Sequence, residues 1–155
     1  MSVKSIGYRL AGVTAGIAIA VGSTATTALA QDASEDSMYQ AGYNAGVRLQ
    51  SAGYDLNSLD GAPYYTAFLE NGDVQTVSVD IPYTGEYVLL IGGDDDTVDL
   101  DVYFPQIGAQ DVTYGPTGLI EFSVTQPGEF VYEIDMLECQ TVNCGVYAVL
   151  LTVGN

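Results

Sequence analysis

The feature of this sequence that most constrains its fold is a series of short apolar runs with a period of two, from about Tyr64 onward. Successive side chains of a β-strand point to opposite faces of a sheet, so this period predicts strands with one buried face. Turn residues separate the runs, as at Asn71-Gly72-Asp73 and Pro127-Gly128. Short strands without helices between them predict an all-β fold, a jelly-roll-like antiparallel β-sandwich of about eight strands.

Two of the runs, residues 86–91 and 146–153, are apolar almost throughout. Such runs are typical of strands that are covered on both faces. The other predicted strands span residues 77–81, 98–104, 120–124 and 130–136, with two weaker ones at 65–70 and 110–114.

Residues 31–63 have a different pattern. Their apolar positions recur at steps of three and four, the spacing of one helical face: Met38, Ala41, Ala45, Leu49 and Ala52. Acidic residues around Glu35 suit a helix N-terminus, and Gly53 suits its end. We therefore predict a short helix over residues 35–52, either packed on the sandwich or acting as an arm, and then a linker to residue 63.

Residues 1–30 have the parts of a secretory signal peptide. Lys4 and Arg9 form a basic start, residues 10–22 are apolar, and Ala28-Leu29-Ala30 gives a cleavage pattern before Gln31. The alternative is a transmembrane anchor, but the apolar stretch is shorter than the roughly 20 residues of a spanning helix. We expect export to the periplasm or the exterior, a mature chain without a membrane anchor, and a sandwich domain over residues 64–155.

The charge and the missing histidines exclude several functions. The chain has 3 Lys and Arg, 20 Asp and Glu and no His, with a net charge of −17. This charge repels nucleic-acid phosphates, and without His there is no Ser-His-Asp triad or His-ligated zinc. Glu121, Glu133 and Asp135 are candidates for paired-carboxylate catalysis, but chance pairing is expected in so acidic a chain. We predict that the protein is not an enzyme.

The two cysteines, Cys139 and Cys144, are separated by four residues. In an oxidising compartment such a pair forms a disulfide, here closing a small loop between the last two strands. A redox pair or a metal site is the alternative. A redox pair has two intervening residues in a βαβ context, and a metal site needs further soft ligands, so we predict the structural disulfide.

Five carboxylates lie close together in the sequence: Asp94, Asp95, Asp96, Asp99 and Asp101. Calcium takes six to eight oxygen ligands, often from carboxylates of one loop, and this grouping is our candidate calcium site. The alternative is a solvated acidic loop in a protein that is acidic throughout. Tyr103, beside Asp99 and Asp101, is the predicted surface contact. Apart from calcium we expect no cofactor.

Five tyrosines cluster near the start of the mature chain: Tyr39, Tyr43, Tyr54, Tyr64 and Tyr65. Tyrosine suits binding surfaces because it joins an apolar ring to a polar tip. The alternative is partial burial at the edges of the sandwich and under the N-terminal arm.

The segment from Asn71 to the C-terminus resembles a known bacterial domain family in four places. Residues 77–89 are similar to its paired strands, residues 93–103 to its acidic loop and Asp-Leu-Asp-x-Tyr strand, and residues 127–134 and 145–149 to two Gly-x-Tyr-type strands. The family is the pre-peptidase C-terminal domain, a jelly-roll β-sandwich related to clostridial collagen-binding domains. The resemblance implies calcium binding in some members and a place beside a catalytic domain. This sequence holds no such domain, and the cysteine pair and the helix depart from the pattern.

Together these observations predict an exported, non-catalytic β-sandwich module that binds a protein or a polysaccharide at the cell envelope or outside the cell, with calcium as a candidate requirement. The first alternative is a structural envelope protein that self-associates through its N-terminal helix or an edge strand. The second is an accessory chain of a secreted hydrolase.

Overall fold

The structure, a computed structural model, describes residues 24–59 and 61–153. Its long helix is α1 (Thr24–Ser51), and short 3₁₀ turns occupy Leu56–Leu59 and Pro105–Ile107. The strands are β1 (Tyr64–Leu69), β2 (Val74–Ile81), β3 (Gly85–Gly93), β4 (Thr97–Phe104), β5 (Ala109–Asp111), β6 (Thr117–Val124), β7 (Gly128–Cys139) and β8 (Cys144–Thr152).

The strands form two antiparallel sheets of four. Sheet A has the order β1-β8-β3-β6, and sheet B has the order β2-β7-β4-β5. Apart from β4 and β5, consecutive strands lie in opposite sheets, so the chain crosses repeatedly from one layer to the other. This is the strand order of a jelly roll, and it confirms the predicted all-β sandwich.

The main core lies between the two sheets and is built from the inward residues of the period-two pattern. Phe104, fully buried, is in the middle of its aromatic part. Its ring centroid lies 4.9 Å from that of Phe122, 6.0 Å from Phe130 and 6.1 Å from Tyr132. These edge-on and tilted contacts join strands of both sheets, so the core fixes the sheets against each other.

Helix α1 covers the outer face of sheet A. Ala41, Ala45 and Leu49 have no exposed surface, and the last two pack with outward residues of β3 and β8 in a second apolar cluster. Strands β3 and β8 are therefore buried on both faces, as their continuous apolar runs predict. Of the two roles expected for the helix, the structure shows packing on the sandwich.

The helix begins earlier than predicted. It starts at Thr24, not at Glu35, so the acidic residues around Glu35 lie inside it and its first turn contains none. The Ala-rich sequence before Glu35 suits a helix. The predicted helix omitted this segment because the spacing of apolar residues by three and four begins only at Met38. The predicted cleavage position before Gln31 lies within α1, and residues 1–23 of the predicted signal peptide lie outside the described residues. No helix in the described part is long and apolar enough to cross a membrane.

Strand β5 is shorter than predicted, at three residues, and a bend follows it. The predicted disulfide is present: Cys139 ends β7, Cys144 begins β8, and their Cα atoms are 5.9 Å apart. It joins the two sheets at the tip of one hairpin-like connection, because β7 belongs to sheet B and β8 to sheet A.

Candidate functional site

The acidic loop between β3 and β4 has one buried member, Asp94, which is 4% exposed. Its Oδ1 accepts a hydrogen bond from Thr97 Oγ1 at 3.0 Å. Its Oδ2 accepts from the backbone N–H of Gly145 at 2.7 Å and from Ser37 Oγ. Asp94 therefore links α1, the β3–β4 loop and β8, and both of its oxygens are already occupied.

The other carboxylates of the predicted calcium site point elsewhere. Asp95 and Asp96 are exposed. Asp99 accepts a hydrogen bond from the N–H of Gly115 at 3.0 Å, and Asp101 accepts one from Tyr103 Oη at 3.0 Å. Among residues 24–59 and 61–153, no three His, Cys, Asp or Glu side chains are placed to hold one metal ion. The five aspartates do not form one preassembled group, and calcium binding stays a prediction.

A second acidic group lies on the outer face of sheet B. Asp101 is opposite Asp135, and Tyr103 is opposite Glu133 in the β4–β7 ladder. Oδ1 of Asp135 is buried and has no hydrogen-bond partner. Burial raises the pKa of the Asp135 carboxyl, and the negative charges of Glu133 and Asp101 raise it further. The hydrogen bond to Asp101 is the main reason that the pKa of Tyr103 is also raised.

The tyrosines near the start of the mature chain divide between the two roles expected for them. Tyr39, Tyr43 and Tyr64 are well exposed, whereas Tyr54 and Tyr65 are partly buried and pack against the two apolar clusters. The three exposed rings are available for contacts, and the two packed rings are structural.

The candidate catalytic carboxylates are not brought together. Glu121 lies on β6 of sheet A, whereas Glu133 and Asp135 lie on β7 of sheet B. Glu121 accepts a hydrogen bond from Tyr54 Oη, which also raises the pKa of that tyrosine. Glu121 is therefore separated from the other two by the sandwich itself.

A cavity of about 320 Å³ opens at the end of the sandwich away from the disulfide. Its residues come from the linker before β1, the end of β2, the following turn, the start of β3 and the end of β8: Gly61, Ala62, Pro63, Val79, Asp80, Ile81, Pro82, Tyr83, Tyr87, Leu150, Leu151 and Thr152. The lining is mostly apolar, with one carboxylate and two tyrosines. Small-molecule sites are typically clefts of about 300–1,000 Å³ with a mostly apolar lining and a few polar groups.

The two cavity tyrosines have different roles. Tyr87 is 4% exposed, its ring lies 5.8 Å from that of Phe122, and its hydroxyl donates to the carbonyl oxygen of Tyr83 at 2.9 Å. Burial raises the pKa of Tyr87 further above neutral pH, where an ordinary tyrosine hydroxyl is already protonated. Tyr87 thus fixes the turn that presents Tyr83, whose side chain is 73% exposed at the cavity.

Sequence reasoning did not find this cavity. The segment 82–85 has the residues of a turn and was predicted only as a turn. The available signal was the aromatic residue Tyr83 within the turn, where an exposed ring has no role in the core. The cavity itself depends on the linker and on the end of β8, both far from the turn in sequence.

Comparisons with known proteins give similarity at the level of fold. No protein-family model and no curated protein sequence matches the chain. A solved pre-peptidase C-terminal domain of a collagenase from Bacillus anthracis aligns with a TM-score of 0.42 and 9% identity, covering 57% of this chain and 88% of that one. This match is one of fold alone.

Two other solved structures are similar at the same level. A periplasmic inhibitor of g-type lysozyme from Aeromonas hydrophila aligns with a TM-score of 0.38 and 11% identity, covering 59% of this chain and 88% of that one. A carbohydrate-binding module of a Cellvibrio mixtus lichenase aligns with a TM-score of 0.34 and 13% identity, covering 61% and 88%. These values describe a shared β-sandwich, and we transfer no function through them.

Proposed function

We propose that the chain is an exported, non-catalytic binding module that holds a unit of a polysaccharide in the cavity at Tyr83. The observation that carries this proposal is an exposed, positioned tyrosine ring, that of Tyr83, at a mostly apolar cavity whose lining residues include Asp80. A sugar ring offers C–H groups that pack on an aromatic face and hydroxyl groups that donate to a carboxylate. The separation of Glu121 from Glu133 and Asp135 supports binding without catalysis.

The charge narrows the class of polysaccharide. The chain has a net charge of −17, and Asp80 is among the residues that line the cavity. An acidic polymer would be repelled both by the whole molecule and by this carboxylate. The ligand is therefore a neutral polysaccharide or one that carries amino groups.

The test uses two tyrosines of equal exposure. Tyr83 is 73% exposed at the cavity, and Tyr114 is 72% exposed in the β5–β6 connection, which does not line it. Binding is measured by affinity electrophoresis and calorimetry against neutral, amino and acidic polysaccharides. Tyr83→Ala should weaken binding by about tenfold or more, about 1.4 kcal/mol, and Tyr114→Ala should leave it unchanged.

Two results would contradict the proposal. The first is that the unaltered chain binds none of the neutral or amino polysaccharides. The second is that both alanine variants bind as well as the unaltered chain, which would remove the cavity from the site. The same titrations with millimolar calcium, the range of extracellular modules, and with a chelator test whether binding requires calcium.

A further inference from the structure

Strand β1 lies at an edge of sheet A. Its neighbour in the sheet order is β8, and among the described strands none lies on its other side. The outward backbone N–H and C=O groups of such a strand form a template for pairing with a further strand. Proteins usually block this pairing with charges, proline, bulges, very short strands or a covering element.

Within residues 24–59 and 61–153, the other three edges of the sandwich carry such a block, and β1 does not. Strand β2 contains Asp80, β6 contains Glu121, and β5 has only three residues and ends in Asp111. Strand β1 is Tyr-Tyr-Thr-Ala-Phe-Leu, six residues without a charge, a proline or a glycine. In a chain with a net charge of −17, an uncharged edge strand is the place where another molecule can approach with least repulsion.

The exposed side chains of β1 are suited to a contact. Tyr64, Thr66 and Phe68 are exposed and, at alternate positions, share one face of the strand. The ring of Tyr64 stacks on that of Tyr147 at 5.5 Å and is still 61% exposed. An edge that offers both free backbone groups and aromatic side chains matches a partner strand with the same properties.

We propose that β1 pairs with β1 of a second copy of this chain, antiparallel and centred on Thr66. A two-fold axis normal to the sheet keeps the helix-covered face of both copies on one side, so residues that share a face lie opposite one another. In the register centred on Thr66, Tyr64 of each copy lies opposite Phe68 of the other. The dimer then has one continuous sheet with an aromatic cross-strand pair on either side of its axis.

The second copy is the partner because it brings an equally uncharged strand. Glu70 follows β1 directly and is exposed. In the proposed register Glu70 lies opposite Ala62 of the second copy, so the two Glu70 residues are at opposite ends of the ladder, roughly 26 Å apart. This separation exceeds the Debye length at physiological salt, so these carboxylates do not oppose pairing.

The test places a lysine on one of two matched edge threonines. Thr66 is exposed on β1, and Thr76 is exposed on the edge strand β2 of the other sheet. Both substitutions change the net charge equally. Sedimentation equilibrium over a concentration series should show a dimer for the unaltered chain. The dissociation constant of the dimer should be at least tenfold higher for Thr66→Lys than for Thr76→Lys. Higher salt should lower the dissociation constant of the unaltered dimer.

The register has its own readout. Thr66→Cys should form a disulfide-linked dimer under mild oxidation, and Thr76→Cys should not, because only Thr66 faces its own copy at the axis. A chain that stays monomeric at every concentration overturns the proposal, and an extended peptide of another protein would then be the occupant of the edge. A dimer that Thr66→Lys leaves intact, or that Thr66→Cys fails to link, also overturns it. The melting temperature of each variant shows that it has folded.

Discussion

At the scale of single residues, Asp94 shows why a carboxylate in an acidic loop need not be a metal ligand. Its two oxygens accept three hydrogen bonds, from the helix, from the first residue of β4 and from β8. A buried carboxylate that accepts this many hydrogen bonds holds the donating groups in place. The same residue type two positions along the chain, Asp96, is exposed to solvent.

Replacing Asp94 by alanine should therefore destabilise the fold. The substitution leaves the N–H of Gly145 and the hydroxyls of Ser37 and Thr97 without this acceptor, at a cost of about 3 kcal/mol in the free energy of unfolding. Chemical denaturation measures the loss. Asp95→Ala, in the same loop but exposed, is the matched control and should change stability by less than about 0.5 kcal/mol. Equal effects of the two substitutions would contradict the role assigned to Asp94.

The charged form of Asp135 is disfavoured in the folded chain. Its folded pKa is raised above 3.8 by burial and by the charges of Glu133 and Asp101. The group therefore contributes stability that is fully present below pH 3.8 and is lost as the pH rises through the raised pKa. At neutral pH the ionised carboxyl is a net cost to folding.

Asp135→Asn should consequently raise the melting temperature at neutral pH. The amide removes the charge and provides donors towards Asp101 and Glu133, whereas below pH 3.8 the wild-type carboxyl is already neutral and the gain should vanish. The measurement is the difference in melting temperature between variant and wild type at the two pH values. A gain of equal size at both would show that charge is not its cause.

At the scale of elements, the period-two pattern was sufficient to predict the strands, because a strand with one buried face has an apolar residue at every second position. The two continuous apolar runs also predicted that β3 and β8 are covered on both sides. Neither pattern could show that α1 is the cover, since its contacts join it to β3, about 40 residues away, and to β8, about 100 residues away. The direction of Asp94 could not be predicted for the same reason: its partner Ser37 is 57 residues away.

The contact between α1 and β3 depends on Gly92. A Cβ at this position would collide with the carbonyl oxygen of Ala41 and lie 2.7 Å from the amide nitrogen of Ala45. These are backbone atoms of a helix, which cannot move aside as a side chain can. The absence of a side chain at residue 92 is what allows the helix to approach the sheet this closely.

Gly92→Ala should therefore displace α1 or weaken its packing, at a cost of about 2 kcal/mol. Hydrogen exchange of the amides of residues 41–49 should become faster if the helix is displaced. Gly128→Ala is the control, because a Cβ there meets no atom within 4 Å and β7 continues from it. Slower or unchanged exchange in the helix of the Gly92 variant would contradict the proposed close approach.

At the scale of the whole molecule, the eight-strand pattern indicated a jelly-roll-like sandwich. The strand order could not be predicted, because it depends on pairing between strands that are distant in the sequence, such as β1 and β8. No local pattern predicts the cavity at Tyr83 either, since the linker before β1, the β2–β3 region and the end of β8 together form it. What composition does determine at this scale is the electrostatic field. The described residues form one ion pair, Arg48 with Asp111 at 3.7 Å, so most of the 20 acidic residues have no cation beside them.

This unbalanced charge predicts that salt stabilises the fold. Self-repulsion of a chain at −17 opposes the compact state, and salt at about 1 M shortens the screening length to roughly 3 Å. Raising NaCl to this concentration at neutral pH should increase the melting temperature on the order of 5 °C, as about 1 kcal/mol does in a domain of this size. The control is the same change of salt near pH 4.1, the isoelectric point, where the net charge is zero and the increase should largely disappear. Scans at several protein concentrations separate this effect from tighter pairing of β1. If salt leaves the neutral-pH melting temperature unchanged in dilute protein, the acidic groups are spaced widely enough that their repulsion does not limit stability.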